Sequence, residues 1–184
     1  MITQIDLKLL DALQSISTPI LDVFFKFVTH LGDEGVIWII TALIMLCFKK
    51  TRKCGIMVAM ALIIGLIIGN IGLKNIFARP RPFTVNPDML PNLLISPPSS
   101  YSFPSGHTMS SIECAVAIYL CNKKWGIPAL VLACLIAFSR CYLYVHYPTD
   151  VIAGAAIGVA IGFLVNFIYK RFIEGKVKIK NFEL

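Results

Sequence analysis

The sequence predicts an all-α, polytopic membrane helix bundle, with about six transmembrane helices preceded by an amphipathic helix at the interface. Two observations carry this prediction. The 184 residues are 57% hydrophobic and 15% charged, with a mean hydropathy of +0.78, whereas a soluble domain is about 45–50% apolar and roughly a quarter charged. The charge is also grouped rather than spread. Lys49, Lys50, Arg52 and Lys53 form one basic cluster, Lys123 and Lys124 a second, and Lys170, Arg171, Lys176, Lys178 and Lys180 a third. Each cluster flanks an apolar stretch, as short cytoplasmic loops do under the positive-inside bias.

Residues 3–16 place Ile5, Leu9, Ala12, Leu13 and Ile16 on one helical face and Asp11, Gln14 and Ser15 elsewhere, the pattern of a helix lying in the interface. Asp6 and the lack of a basic region or apolar run in Met1–Lys8 argue against a signal peptide. Segments 18–31 and 35–48 are apolar but short, joined by the turn Leu31-Gly32-Asp33-Glu34-Gly35. Residues 54–77 are apolar enough to cross, reaching about 36 Å as helix. Spans over 105–122, 126–145 and 149–169 follow, and 171–184 form a cytoplasmic tail. Gly65 with Gly69, and Gly154 with Gly158 and Gly162, are small-residue ladders that let helices approach closely. Trp125, Tyr119 and Tyr169 near the inner ends, and Trp38, Tyr142, Tyr144 and Tyr147 near the outer ends, fit aromatic belts.

With the basic clusters inside, residues 74–107, the 140–150 turn and the 31–35 turn face the extracytoplasmic side of a cell membrane. The connection 79–103 holds Pro80, Pro82, Pro87, Pro91, Pro97 and Pro98, which exclude helix from most of it. Its Met89, Leu90, Leu93, Leu94 and Ile95 place it on the headgroup layer beside a path for lipid. The net charge of +7 sits in loops without a nucleic-acid motif, so membrane lipids are the expected partners and nucleic acid is not. The six cysteines lack C-x-x-C spacing and lie in or beside apolar runs, which predicts packing rather than a metal or disulfide framework. No cofactor or metal is expected, because no carboxylate cluster for a divalent ion appears.

Charged and ionisable residues gather where the bias rule predicts few: Lys74, Arg81, His107, Arg140, His146 and Asp150. Charge beside hydrocarbon is costly and marks function by default. Pro104-Ser105-Gly106-His107 opens an apolar helix after a loop, and amide N–H groups at a helix N-terminus bind anions. Gly106 admits a phosphate to the backbone and Ser105 offers a hydroxyl. Lys74, Arg81 and Arg140 neutralise a phosphate and its transition state. Asp150, in the first turn after Pro148, reaches back to His146, fixes its tautomer and leaves the other nitrogen free to attack phosphorus. His107 protonates the leaving oxygen. Glu113 lies two turns below Gly106, where it supports the site, and Asn70 lies one turn below Lys74. His30 reads as an interfacial packing residue.

Lys74, six residues, Arg81-Pro82; then Pro104-Ser105-Gly106-His107; then Ser139-Arg140, five residues, His146, three residues, Asp150: this order resembles the three signature motifs of the type 2 phosphatidic acid phosphatase family. The resemblance implies a lipid phosphatase with His146 as nucleophile, Asp150 orienting it, and His107 as general acid. Lys74, Arg81, Ser105, Gly106 and Arg140 would hold the phosphate of undecaprenyl diphosphate, phosphatidylglycerophosphate or phosphatidic acid. Arg79 falls outside the spacing and is assigned to lipid headgroups. A transporter or anion channel built on the same cations would be expected to show inverted repeats, and none is found. A vanadate haloperoxidase fits poorly with a membrane-embedded chain.

Overall fold

The computed structural model describes residues 2–174; Lys176, Lys178, Lys180 and most of the expected tail lie outside them. Among the described residues all regular structure is helical: α1 (Ile2–Gln14), α2 (Pro19–Leu31), α3 (Val36–Cys47), α4 (Arg52–Gly65), α5 (Lys74–Phe77), α6 (Pro82–Val85), α7 (Gly106–Cys121), α8 (Lys123–Tyr142) and α9 (Pro148–Ile168). A π-helical stretch, Leu66–Leu73, joins α4 to α5, and another, Tyr169–Ile173, extends α9. The boundaries follow local chemistry. Thr18, Ser105 and Asn122 cap α2, α7 and α8 with their side chains, and prolines open α2, α6 and α9.

Helix α7 is the hub, packed against α8, α9 and α4 and buried almost continuously from Thr108 to Ile118. Lipid tails are as apolar as leucine, so close packing rather than water exclusion holds such helices together. The α9 glycines supply it. A Cβ on Gly154 would stand 2.9 Å from the Ser105 carbonyl oxygen, and one on Gly158 would stand 2.8 Å from that of Met109. This approach sets the start of α9 beside the start of α7, where the Ser105 amide donates to the Asp150 carbonyl at 3.2 Å. Trp38 ties α3 to the hub through a 3.0 Å bond from its indole N–H to Ser111. Ile20, Phe27, Ile40, Ile63, Phe163 and Phe167 are exposed and form the lipid-facing rim.

The helices appear in the expected order, but the span count is less simple. Arg52–Val85, Lys123–Tyr142 and Pro148–Ile173 are each long and apolar enough to cross, while α2 and α3 qualify only as a joint pair bent by 44°. Helix α7, at 16 residues, is shorter than a lipid-exposed span prefers and is sheathed by the other helices.

Three expectations are corrected, while the 79–103 connection is free of helix over most of its length as expected, with only α6 and a 3-10 turn, Pro87–Asn92, opening on Pro82 and Pro87. Its Leu93, Leu94 and Ile95 turn inward onto Phe25, Phe83, Tyr142, Leu143 and Val145 instead of outward. Trp38, Tyr142, Tyr144 and Tyr147 are buried, not a belt: the Tyr142 hydroxyl donates to Asp22 at 2.6 Å and that of Tyr144 to Asp11 at 2.8 Å. Cys54 and Cys121, which are 67 residues apart, form a disulfide; no spacing rule finds it, because only the fold brings the start of α4 to the end of α7.

Candidate active site

Lys74, Arg81, Gly106, His107, Arg140 and His146 all line one cavity of about 610 Å³ at one end of the bundle. These six come from five helical elements or their junctions, and residues 95–100 of the long connection form part of the cavity wall. The π-helical stretch before Lys74 alters the helical phase just where that lysine must turn inward. Its ammonium donates to Ser100 Oγ at 3.2 Å. Arg81 is 4% exposed and is held from several sides: Nε donates to the Ser100 carbonyl at 2.7 Å, and one terminal nitrogen donates to the Val145 carbonyl at 2.7 Å. Arg140, at the end of α8, donates to Thr29 Oγ1 at 2.5 Å, and its Nε has no protein partner.

His146 sits between α8 and α9 on a loop whose shape is costly. Tyr144 has a φ of +60°, a left-handed conformation that costs of order 1–3 kcal/mol in a non-glycine residue, and bonds from its hydroxyl to Asp11 and from Asn86 hold it there. The imidazole is 1% exposed. Its Nε2 faces the Arg81 guanidinium at 3.2 Å, while Nδ1 lies 3.4 Å from Ser102 Oγ and 3.6 Å from Asp150 Oδ2. This geometry assigns the proton to Nδ1 and leaves the Nε2 lone pair toward the cavity. Burial pushes the imidazole pKa well below its usual value, and the nearby Arg81, Arg140, Lys74 and His107 push the same way. Both effects favour the neutral ring.

Asp150 is fully buried behind His146. The direct link expected between them is the longer one: Ser102 donates to Asp150 at 2.5 Å and bridges to the ring. His107, on the first turn of α7, pairs through Nε2 with Asp33 at 2.9 Å, and Asp33 in turn holds His30 at 2.7 Å. His30 is thus an exposed hydrogen-bond partner of Asp33 rather than a packing residue. Ser105 caps α7, its Oγ accepting from the Thr108 hydroxyl at 2.9 Å; it is buried beneath the cavity wall. Gly106 remains open to the site, since a Cβ there would meet Asn70 Oδ1 at 3.1 Å and Lys74 Nζ at 3.7 Å. Glu113 reaches the cavity floor against Gly65, with Oε2 unpartnered.

Sequence reasoning missed Ser102, Asp33 and Thr29. Asp33 carried a usable signal, an acidic residue in a junction assigned to the same side as the cations. Ser102 and Thr29 carried none. Arg79 is corrected: it binds Asp6 and Asp150 instead of headgroups. Among the described residues, no three His, Cys, Asp or Glu side chains converge as metal ligands.

The PAP2 superfamily pattern matches residues 53–174, which carry Lys74, Arg81, Ser105, Gly106, His107, Arg140, His146 and Asp150. The chain belongs to the PAP2 superfamily. Its relatives include the undecaprenyl-diphosphatase of Sulfolobus acidocaldarius, 40% identical over 140 residues covering 75% of this chain and 66% of that protein. Phosphatidylglycerophosphatase B of Bacillus subtilis is 32% identical over 181 residues, 91% of this chain and 81% of that one. The crystal structure of a transmembrane PAP2-type phosphatidylglycerolphosphate phosphatase from Bacillus subtilis superposes with a TM-score of 0.75 at 27% identity, covering 94% of this chain and 88% of that one. This PAP2 protein is accordingly a membrane phosphatase acting on lipid phosphates.

Proposed function

We propose that this PAP2 phosphatase removes the terminal phosphate of a lipid phosphate or diphosphate on the extracytoplasmic side, through a covalent phosphohistidine at His146. The observation that carries the reading is the division of labour on His146, with Nδ1 facing Ser102 and Asp150 while Nε2 faces the cavity and Arg81. Lys74, Arg81, Arg140 and the Gly106 amide receive the phosphoryl oxygens, the cations neutralising charge that spreads over them in the transition state. Ser105 acts as the cap that points the α7 amides at the phosphate. Nε2 attacks phosphorus as the bond to the lipid oxygen breaks, and His107 gives that oxygen a proton. Asp33, bonded to His107 Nε2, favours the protonated ring that the transfer requires. Water then attacks the phosphohistidine, His107 takes its proton, and phosphate leaves.

Ile39, Leu62 and Leu66 form an apolar part of the cavity lining, a surface suited to the lipid chain beside the phosphate. Sidedness rests on the basic residues Lys49, Lys50, Arg52, Lys53, Lys123, Lys124, Lys170 and Arg171 at the opposite helix ends. The Cys54–Cys121 bond lies at that basic end, where cytosolic thiols are ordinarily kept reduced. The bond weighs against an inward basic end, and the loop charge at three junctions weighs for it and carries the reading. An outward site favours undecaprenyl diphosphate over phosphatidylglycerophosphate and phosphatidic acid.

The test is a panel of these three lipids with wild type and His146→Ala in detergent containing chelator. Wild type releases phosphate with the metal removed, fastest from undecaprenyl diphosphate, and the variant falls by about a thousandfold or more, as loss of a nucleophile does. Undiminished release by the variant would remove the nucleophile assignment.

A further inference from the structure

The proposed chemistry gives no task to Arg79, yet its contacts all lead to the nucleophile. It stands two residues before Arg81 but does not line the cavity. One terminal nitrogen donates to Asp150 Oδ1 at 2.5 Å and Thr149 Oγ1 at 2.8 Å; the other donates to Asp6 Oδ2 at 2.9 Å. The guanidinium carbon lies 3.8 Å from the centroid of the Tyr147 ring. Its backbone takes part too, since the Arg79 carbonyl accepts from the Ser102 amide at 2.8 Å. Arg79 therefore grips both groups that face Nδ1 of His146: Asp150 by its side chain and Ser102 by its main chain.

Asp6 completes the arrangement from α1. It is 2% exposed and also accepts from the Thr149 amide at 3.2 Å and hydroxyl at 2.6 Å. A buried carboxylate with one oxygen fixed by a guanidinium has only the other to offer, and here Oδ2 takes Ser102, the Tyr147 amide and the imidazole side. A lysine has no fork with which to span Asp6 and Asp150 together.

Resting on the assignment of His146 as nucleophile, we propose that Arg79, anchored by Asp6, is a positioning residue that holds Asp150 and Ser102 against His146. The N-terminal helix is thereby part of the catalytic apparatus. The partner groups that orient a reactive imidazole are worth about 10–100-fold when removed from comparable sites.

Steady-state kinetics on whichever of the three panel lipids wild type turns over fastest, with thermal unfolding in detergent, test this in wild type, Arg79→Ala, Arg79→Lys, Asp6→Asn and Arg79→Ala combined with Asp150→Asn. The expected result is kcat lower by about 10–100-fold in Arg79→Ala with KM within about twofold. Arg79→Lys recovers little of it, and Asp6→Asn shows the same split more weakly. In the Asp150→Asn background the further loss from Arg79→Ala shrinks to under about twofold, because both changes break one linkage. Wild-type kcat in folded Arg79→Ala, or a full additional loss in that background, would overturn the proposal. Should Arg79→Ala not fold, Arg79→Lys and Asp6→Asn decide by the same kcat and KM split. Undiminished turnover in His146→Ala on the same lipid would remove the parent reading, a result distinct from wild-type kcat in Arg79→Ala.

Discussion

Around His146 each ring nitrogen has its own set of neighbours, and each set makes a prediction. Ser102 bridges Nδ1 to Asp150, so Ser102→Ala should lower kcat by about tenfold with little change in KM, as removal of an orienting partner does. A larger effect on KM than on kcat in the same assay would move Ser102 into phosphate binding. The depressed pKa of His146 fixes the sign of a pH effect. The attacking form is the neutral ring, and its folded pKa lies below the usual value near 6.5. As pH falls through 6.5 the nucleophile therefore stays unprotonated, and kcat/KM declines only at lower pH. A profile of kcat/KM for the free enzyme checks this; an acid limb of His146 at or above 6.5 contradicts it. That Lys74, Arg81, His107, Arg140 and His146 gather at one cavity was legible because such charged residues stood where the charge bias predicts few. Ser102 and Arg79 were not, because the direction of their side chains depends on how the 79–103 connection folds. Glu113 reached the cavity floor as its helical spacing implied.

At the scale of elements, the site depends on how closely α9 lies on α7. Gly158 leaves no room for a Cβ beside the Met109 carbonyl, and side chains there force backbones apart. Gly158→Leu is expected to lower the unfolding temperature in detergent and to abolish turnover; a folded variant with wild-type kcat would show that the close approach is dispensable. The long connection behaves as an element as well. Leu93 and Leu94 pack on Phe25, Phe83 and Tyr142, so replacing both with serine should reduce turnover of a soluble phosphate ester as well as of lipid. Loss confined to lipid substrates would restore the connection to the headgroup layer. The main helices were readable from apolar runs and caps. The π-helical stretch and α6 were not, because neither changes the hydrophobic pattern. The burial of Trp38 and the tyrosines escaped notice for a related reason: a belt and a packed junction use the same residue types.

For the whole molecule, orientation and chemistry come together. An all-helical membrane bundle followed from composition, but the span count did not, because α2, α3 and α7 are shorter than independent spans and rely on neighbours. The disulfide could not be read either, since it joins residues that only the tertiary structure brings together. Orientation is testable with Ser99→Cys on the cavity wall: a membrane-impermeant maleimide should label it in intact cells, and labelling only after lysis would place the site inside. The most direct measurement of the central claim is rapid quenching with a 32P-labelled lipid phosphate. Wild type is expected to carry acid-labile, base-stable label on His146, appearing before free phosphate and approaching about one per chain if the second step is rate-limiting. His146→Ala should carry none. Label on another residue, or turnover in wild type with no labelled protein at any time point, would contradict the account.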